Sequence, residues 1–243
     1  MIVRDKSDRW EILFQRNHAL VAGALGIEIA PQFRPGQWIE TIAAVLSHDD
    51  AQAGFTEESH IDKKGAPMNF RDFGENMLQA EQVVREAQYR SKFVTLMVSM
   101  HAYGLREPKK EKSPQMEEYL SRQEFLQTHL RAHLNLSVEE SQAAYQFLLW
   151  CDECSLILCE GRLKSEPTHI QFGNLPGVKK QHIHQDDQTG FVQMKPWCFL
   201  RDSFEVKAEY YTIHPKQPFA SSAALGENLL SQMPSTSSWI FHK

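Results

Sequence analysis

Apolar residues recur at helical spacing through the first two thirds of the chain and at strand spacing near its two ends. Ile2-Val3 and Trp10-Glu11-Ile12-Leu13-Phe14 flank the polar turn DKSD, which predicts a short hairpin over residues 1–15. From Asn17, read as an N-cap, His18, Val21, Ala22, Leu25 and Ile29 fall on one helical face, so His18 is expected on the buried side. After the breaker PQFRPG, the residues Trp38, Ile39, Ile42, Ala43, Val45 and Leu46 form a second stripe, and Asp49 continues the series 39, 42, 46, 49. Residues 53–73 are rich in turn formers and predict a loop. Further helices are expected over Glu75 to Arg90, through FVTLMVSMHAYGL, and over Met116 to Leu134, which offers Tyr119, Phe125, Leu126 and Leu130 to the core. The segment REPKKEKSPQ separates the last two.

Ser137, with Glu140 three residues later, predicts a capping box at the start of the next helix. There Tyr145, Leu148, Leu149, Asp152, Leu156 and Cys159 share a face, so one carboxylate interrupts an apolar stripe. An ionised, unpaired carboxylate in that setting would cost several kcal/mol. Asp152 therefore needs a partner: a metal, or a salt bridge to Arg16, Arg34 or Arg162. From Gly161 to Gly190 the chain is polar and rich in Gly and Pro, which predicts a long loop. Phe191 to Met194 and Phe204 to Ile213 then alternate as strands expected to pair with the N-terminal hairpin, before a short helix near Ala223 to Leu230 and the tail SQMPSTSSWIFHK.

These elements imply a mainly α fold, a helical bundle with a small antiparallel β-sheet made by the N-terminal hairpin and the C-terminal strands. The expected organisation is a single domain over 1–243, with a helical core at about 17–160, a loop over 161–190, and strands and tail over 191–243. At 243 residues and 42% hydrophobic composition the chain can bury a sizeable core. A net charge of −5 and the lack of a long basic run argue against nucleic acid as a partner. No apolar run approaches the roughly 20 residues needed to span a bilayer, and MIVRDKSDRW lacks the pattern of a signal peptide, so no membrane association and a cytoplasmic location are expected. Cys151, Cys154, Cys159 and Cys198 suit reduced core thiols, and the CxxC of Cys151 and Cys154 lacks the second pair of a zinc ribbon.

The polar residues that interrupt or end buried helices are His18, His48 with Asp49, His101 and Asp152, each pair or single on a different helix. Imidazole and carboxylate are the ligand types that hold Mn, Fe, Ni or Zn, and ligands from separate helices can converge in a core. Taken singly, HDD at 48–50 also reads as a solvated helix end, and His18 or His101 as a core histidine held by a backbone carbonyl. His182 and His184 could form a clip, and Lys109, Lys110 and Lys112 could receive a phosphate, though polar loops of that composition are usually solvated.

The ordered set NHALVAG, LSHDDA, VSMHAYGL and CDECSLILC resembles the HD superfamily of metal-dependent phosphohydrolases over residues 17–160. More narrowly, with FRPGQW, IDKKGAPMNF, KPWCF and HPKQPF, the whole chain is similar to an uncharacterised bacterial family, a domain of unknown function. The superfamily resemblance implies His18, His48, Asp49 and Asp152 as metal ligands; Asp50, which departs from its minimal motif and could instead orient a ligand or cap the helix end, or His101 is expected to handle protons. It places His60, His129 and His133 as candidates for a second metal, with a single metal favoured. The implied activity is hydrolysis of a phosphate ester or anhydride, on a small phosphorylated molecule, with a homodimer as the assembly considered. Two competing readings are a di-iron oxygenase and a non-catalytic binding module.

Overall fold

A computed structural model describes residues 1–51, 54–55, 60–72, 74, 76–109, 113–163, 170–173, 175–178 and 180–243. Strands β1 (Ile2–Asp5) and β2 (Trp10–Leu13) lead into helices α1 (Gln15–Glu28), α2 (Trp38–Ser47), α3 (Met77–Ala87), α4 (Lys92–Gly104), α5 (Pro114–Leu134) and α6 (Val138–Cys159). Strands β3 (Ile170–Phe172), β4 (Gln181–Gln185), β5 (Val192–Lys195) and β6 (Ser203–Ile213) follow, then α7 (Ser222–Leu230) and β7 (Ser235–His242).

The expected mainly α bundle with a small sheet is not what forms. The strands assemble into one seven-stranded sheet, ordered β1-β2-β6-β7-β5-β4-β3, mixed because β5 and β7 run parallel while the other neighbours are antiparallel. Two segments account for the difference. The expected loop at 161–190 carries β3 and β4, and the expected tail is β7, which pairs with β6 over eight residues from Ser203↔His242 to Tyr210↔Ser235. The pairing of the hairpin with a C-terminal strand does occur, as Trp10↔Ile213 and Ile12↔Tyr211.

β6 alternates as its sequence dictates, turning Phe204, Val206 and Ala208 into the core. Phe204 stacks on Phe241 of β7 with centroids 4.9 Å apart, and Phe199 packs edge-on to both. One apolar core joins this face of the sheet to the helices.

Among the helices, α4 is the central one, with every residue from Phe93 to Ala102 buried. Its buried hydroxyl is satisfied: Ser99 donates to Gln123 Oε1 at 2.9 Å and accepts from Gln127 Nε2 at 3.2 Å. The capping box of α6 is present, Glu140 N–H donating to Ser137 Oγ at 3.1 Å and Ser137 N–H to Glu140 Oε2 at 2.8 Å. Asn17 is not the cap of α1; Phe14 holds that position, with no side-chain cap, and Asn17 lies inside the first turn.

The close approach of α1 to its neighbours follows from two glycines. A methyl at Gly23 would stand 2.5 Å from Leu46 Cδ2 of α2, and one at Gly26 would stand 3.0 Å from Ile42, 3.3 Å from Cys151 and 3.4 Å from Phe147. Bare backbone at these positions lets α1 settle against α2 and α6 at once. Several residues assigned to the core from periodicity lie outside it: Ile39 is 84% exposed, Phe125 67% and Leu149 37%. The apolar stripes of α2, α5 and α6 are wider than the faces they bury. No helix among the described residues is long and apolar enough to cross a membrane.

Candidate metal centre

His18 lies in the first turn of α1, His48 and Asp49 at the end of α2, His101 in the last turn of α4 and Asp152 in the middle of α6. All three histidines are buried. The carboxylates of Asp49 and Asp152 keep 22% and 15% exposure, so the cluster meets solvent on its carboxylate side.

The hydrogen bonds decide what the rings offer. His18 Nδ1 lies against the carbonyl of Gln15, and His48 Nδ1 against that of Val45 at 2.7 Å. A carbonyl only accepts, so each Nδ1 carries a proton, and in the neutral ring each Nε2 presents its lone pair. These two Nε2 atoms stand 3.3 Å apart, and each stands 3.3 Å from Asp152 Oδ1. Asp49 Oδ2 is 3.6 Å from His18 Nε2 and 3.8 Å from His48 Nε2.

Four acceptor atoms thus face one another. A single proton can bridge only one pair of them, whereas a cation in their midst satisfies all four. Ligands held about 2.1 Å from an ion stand about 3.0 Å apart in octahedral and about 3.4 Å apart in tetrahedral arrangement, and the triangle formed with Asp152 lies in that interval. The outer contacts suit the same purpose: backbone carbonyls orient both imidazoles, and Gln15 Nε2 donates to Asp49 Oδ2 at 3.0 Å. His48, His101 and Asp152 form a second potential ligand group, sharing His48 and Asp152 with the first. These His/Asp groups can hold a metal ion.

Charge is arranged accordingly. Burial is the largest influence at each group and opposes ionisation, yet Asp49 and Asp152 raise His48 to about 9. Burial likewise works against the carboxylates, but the histidines, His48 foremost, lower Asp49 and hold Asp152 well below its ordinary value. At His101, burial and then repulsion from His48 prevail, lowering it to about 4. His101 is therefore neutral near pH 7, its ring edge-on to His48 with centroids 4.9 Å apart, and its buried Nδ1 has no hydrogen-bond partner among the described residues.

His48, Asp49, His101 and Asp152 line a cavity of about 310 Å³, whose other lining includes His60, Arg71, Arg106 and Lys109 together with the apolar Val83, Leu105 and Leu156. His60 is buried, while His129 and His133 are exposed on α5. Asp50 is turned elsewhere: its Oδ2 pairs with Arg90 at 2.6 Å, and Asp50 is not among the cavity residues. None of the three arginines weighed as partners for Asp152 reaches it. Arg16 donates to the Asp50 carbonyl, Arg34 to those of Ile29 and Ile27, and Arg162 pairs with Glu160.

Lys110 and Lys112 lie outside the described residues. His182 and His184 sit on β4, apart from the cavity lining. The four cysteines are free and buried, and burial, the first cause in each case, raises all four thiols. Sequence reasoning missed Gln15 and Arg106. Gln15 carries no periodicity signal, but Arg106 continues the α4 face begun by His101 and Ala102.

No curated protein and no solved structure matches the chain. A family model described as "Protein of unknown function (DUF3891)" matches residues 1–215, and the chain belongs to that family.

Proposed function

We propose that this protein is a metal-dependent hydrolase of phosphate esters or anhydrides. The observation that carries this reading is the cluster of His18, His48, Asp49 and Asp152, the last three of which line a cavity that is also lined by Arg71, Arg106 and Lys109. The order of these ligands along the chain resembles the HD superfamily, a likeness confined to the helical part. The mixed imidazole and carboxylate set suits Mn, Fe, Ni or Zn. An ion held there supplies Lewis acidity, which lowers the pKa of a coordinated water toward ~7 and polarises a phosphoryl oxygen.

The chain's own residues do the rest. Backbone carbonyls of Gln15 and Val45 fix the two imidazole tautomers, so no proton has to be displaced from Nε2 of a neutral ring. His101, neutral near pH 7 and part of the cavity lining, is the candidate to exchange a proton with a leaving group there. Asp50, committed to Arg90, is the weaker candidate for that task. Val83, Leu105 and Leu156 offer an apolar wall to the organic part of an ester.

The test is elemental analysis of tag-free protein beside Asp152→Ala and His48→Ala, followed by a screen of phosphate monoesters, diesters and anhydrides with the loaded parent. The expected result is near-stoichiometric metal in the parent, little in either variant, and hydrolysis that disappears with the metal. Equal metal in parent and variants would overturn the assignment. Two irons per chain with an optical band that responds to dioxygen would replace hydrolysis with an oxygenase.

A further inference from the structure

The α4 wall of the cavity is built from His101, Ala102, Leu105, Arg106 and Lys109, positions that recur on one side of the helix and of the turn that continues it. Arg106 is part-buried there. Its Nη1 donates to the Ala102 carbonyl at 2.9 Å and its Nη2 reaches the Asn76 carbonyl at 3.4 Å, while its buried Nε has no acceptor among the described residues. A guanidinium has five N–H donors, so beside the buried Nε–H about two on the Nη atoms remain for a ligand. No carboxylate lies within ion-pair distance of it among the described residues, and its charge is met only by carbonyl dipoles and the Tyr119 ring 5.8 Å away.

Arg71, the other arginine of the cavity, differs in this respect. Glu160 takes it in a two-pronged pair at 2.5 and 3.1 Å, although that carboxylate is shared with Arg162. The cavity therefore holds one guanidinium whose fork is occupied by a carboxylate and one that, among the described residues, faces no carboxylate and keeps donors to spare.

We propose that Arg106 is the specificity-determining residue that recognises the anionic group of the substrate, through the remaining donors of its two Nη atoms. A planar fork matched to two oxygens is the arrangement in which arginine binds phosphate most tightly. This rests on the metal-hydrolase reading in one respect: Asp49 and Asp152 repel an anion from the same cavity until a cation offsets them, so metal should strengthen anion binding.

Inorganic phosphate is the probe, titrated calorimetrically into the parent, Arg106→Gln and Arg106→Lys, each with and without metal, with metal content measured in parallel. The expected result is that Arg106→Gln keeps its metal and loses at least tenfold in phosphate affinity. Arg106→Lys, which retains the charge without the fork, should fall between. Phosphate affinity of Arg106→Gln within twofold of the parent, or no phosphate binding by the parent in either state, overturns the proposal. Should Arg106→Gln lose its metal through misfolding, Arg106→Lys decides, and parental affinity in it counts against the fork. If the parent takes up no metal, the hydrolase reading fails separately, and the comparison without metal still decides the role of Arg106.

Discussion

In its metal-free form the protein should have a stability that depends on pH through His48. Its Nε2 faces Asp49 and Asp152, whose charges raise it from 6.5 to about 9 against the opposing effect of burial. A group raised on folding stabilises the fold fully below its unfolded value, and that contribution is lost as pH climbs through the folded value. In metal-free protein the stabilisation from protonated His48 is thus complete below 6.5, declines between 6.5 and about 9, and is absent above. The gap corresponds to about 3 kcal/mol at 1.36 kcal/mol per tenfold change. For a chain of 243 residues that amounts to about 6 °C in Tm, at about 2 °C per kcal/mol. Metal takes the place of the proton, so the stabilisation by metal should grow by about the same 3 kcal/mol over that window. Thermal unfolding with chelator and at fixed free Ni²⁺, from pH 6 to 9.5, gives both curves. A difference between them that stays flat or shrinks as pH rises would refute the acceptor-only account of the cluster.

Other substitutions separate the site from its scaffold. Asp50→Asn removes an exposed ion pair with Arg90 and should cost no more than about 1 kcal/mol, with metal content unchanged; loss of metal would make Asp50 part of the centre. Ser137→Ala deletes the α6 capping box and should destabilise the fold by about 1 kcal/mol in urea unfolding while leaving metal affinity alone. Gly26→Ala gains about 1 kcal/mol of helix propensity but crowds Ile42, Cys151 and Phe147, a cost of about 1–3 kcal/mol. It should be mildly destabilising and lower metal affinity, since it pushes α1 from α2 and α6; unchanged metal affinity would show that the ligand spacing is not set there.

Helix α6 was legible in the sequence because cap and periodicity agree, whereas α1 was legible by periodicity alone, its start lying before the expected cap Asn17. Ser137 with Glu140 marks the start of α6, and the unbroken apolar run of FVTLMVSMHAYGL marks a helix buried on all sides. The sheet was legible only in part. Phe204 to Ile213 alternates in sidedness, but STSSWIFH opens with four hydroxyl residues and buries only Phe241 fully, so nothing local distinguishes it from a tail. What holds it as a strand is the β6 backbone across eight paired positions, a long-range cause. β3 and β4 were hidden in the same way by polar composition. The metal-ligand candidates stood out because a carboxylate or imidazole on an apolar helical face is costly without a partner, which periodicity exposes at His18 and Asp152. Asp50 was drawn into the site by adjacency to Asp49. Past the helix end, consecutive side chains point in different directions, and only tertiary structure shows that Asp50 meets Arg90.

His18 and the means of placing it occur together in NHALVAGALG. The imidazole comes from the first turn, and Gly23 and Gly26 follow at the next two turns. Gly23 receives Leu46, two residues before His48, and Gly26 receives Cys151, one residue before Asp152. The contacts that bring α1 against α2 and α6 are therefore made within a few residues of the ligands those helices contribute. Errors in packing elsewhere have little lever arm on the three 3.3 Å separations. A bare core histidine would not require that tolerance, because one carbonyl contact satisfies it. Holding two lone pairs and two carboxylates at ligand spacing does require it. The cost of keeping like acceptors together in the absence of a cation is the physical reason to expect one there.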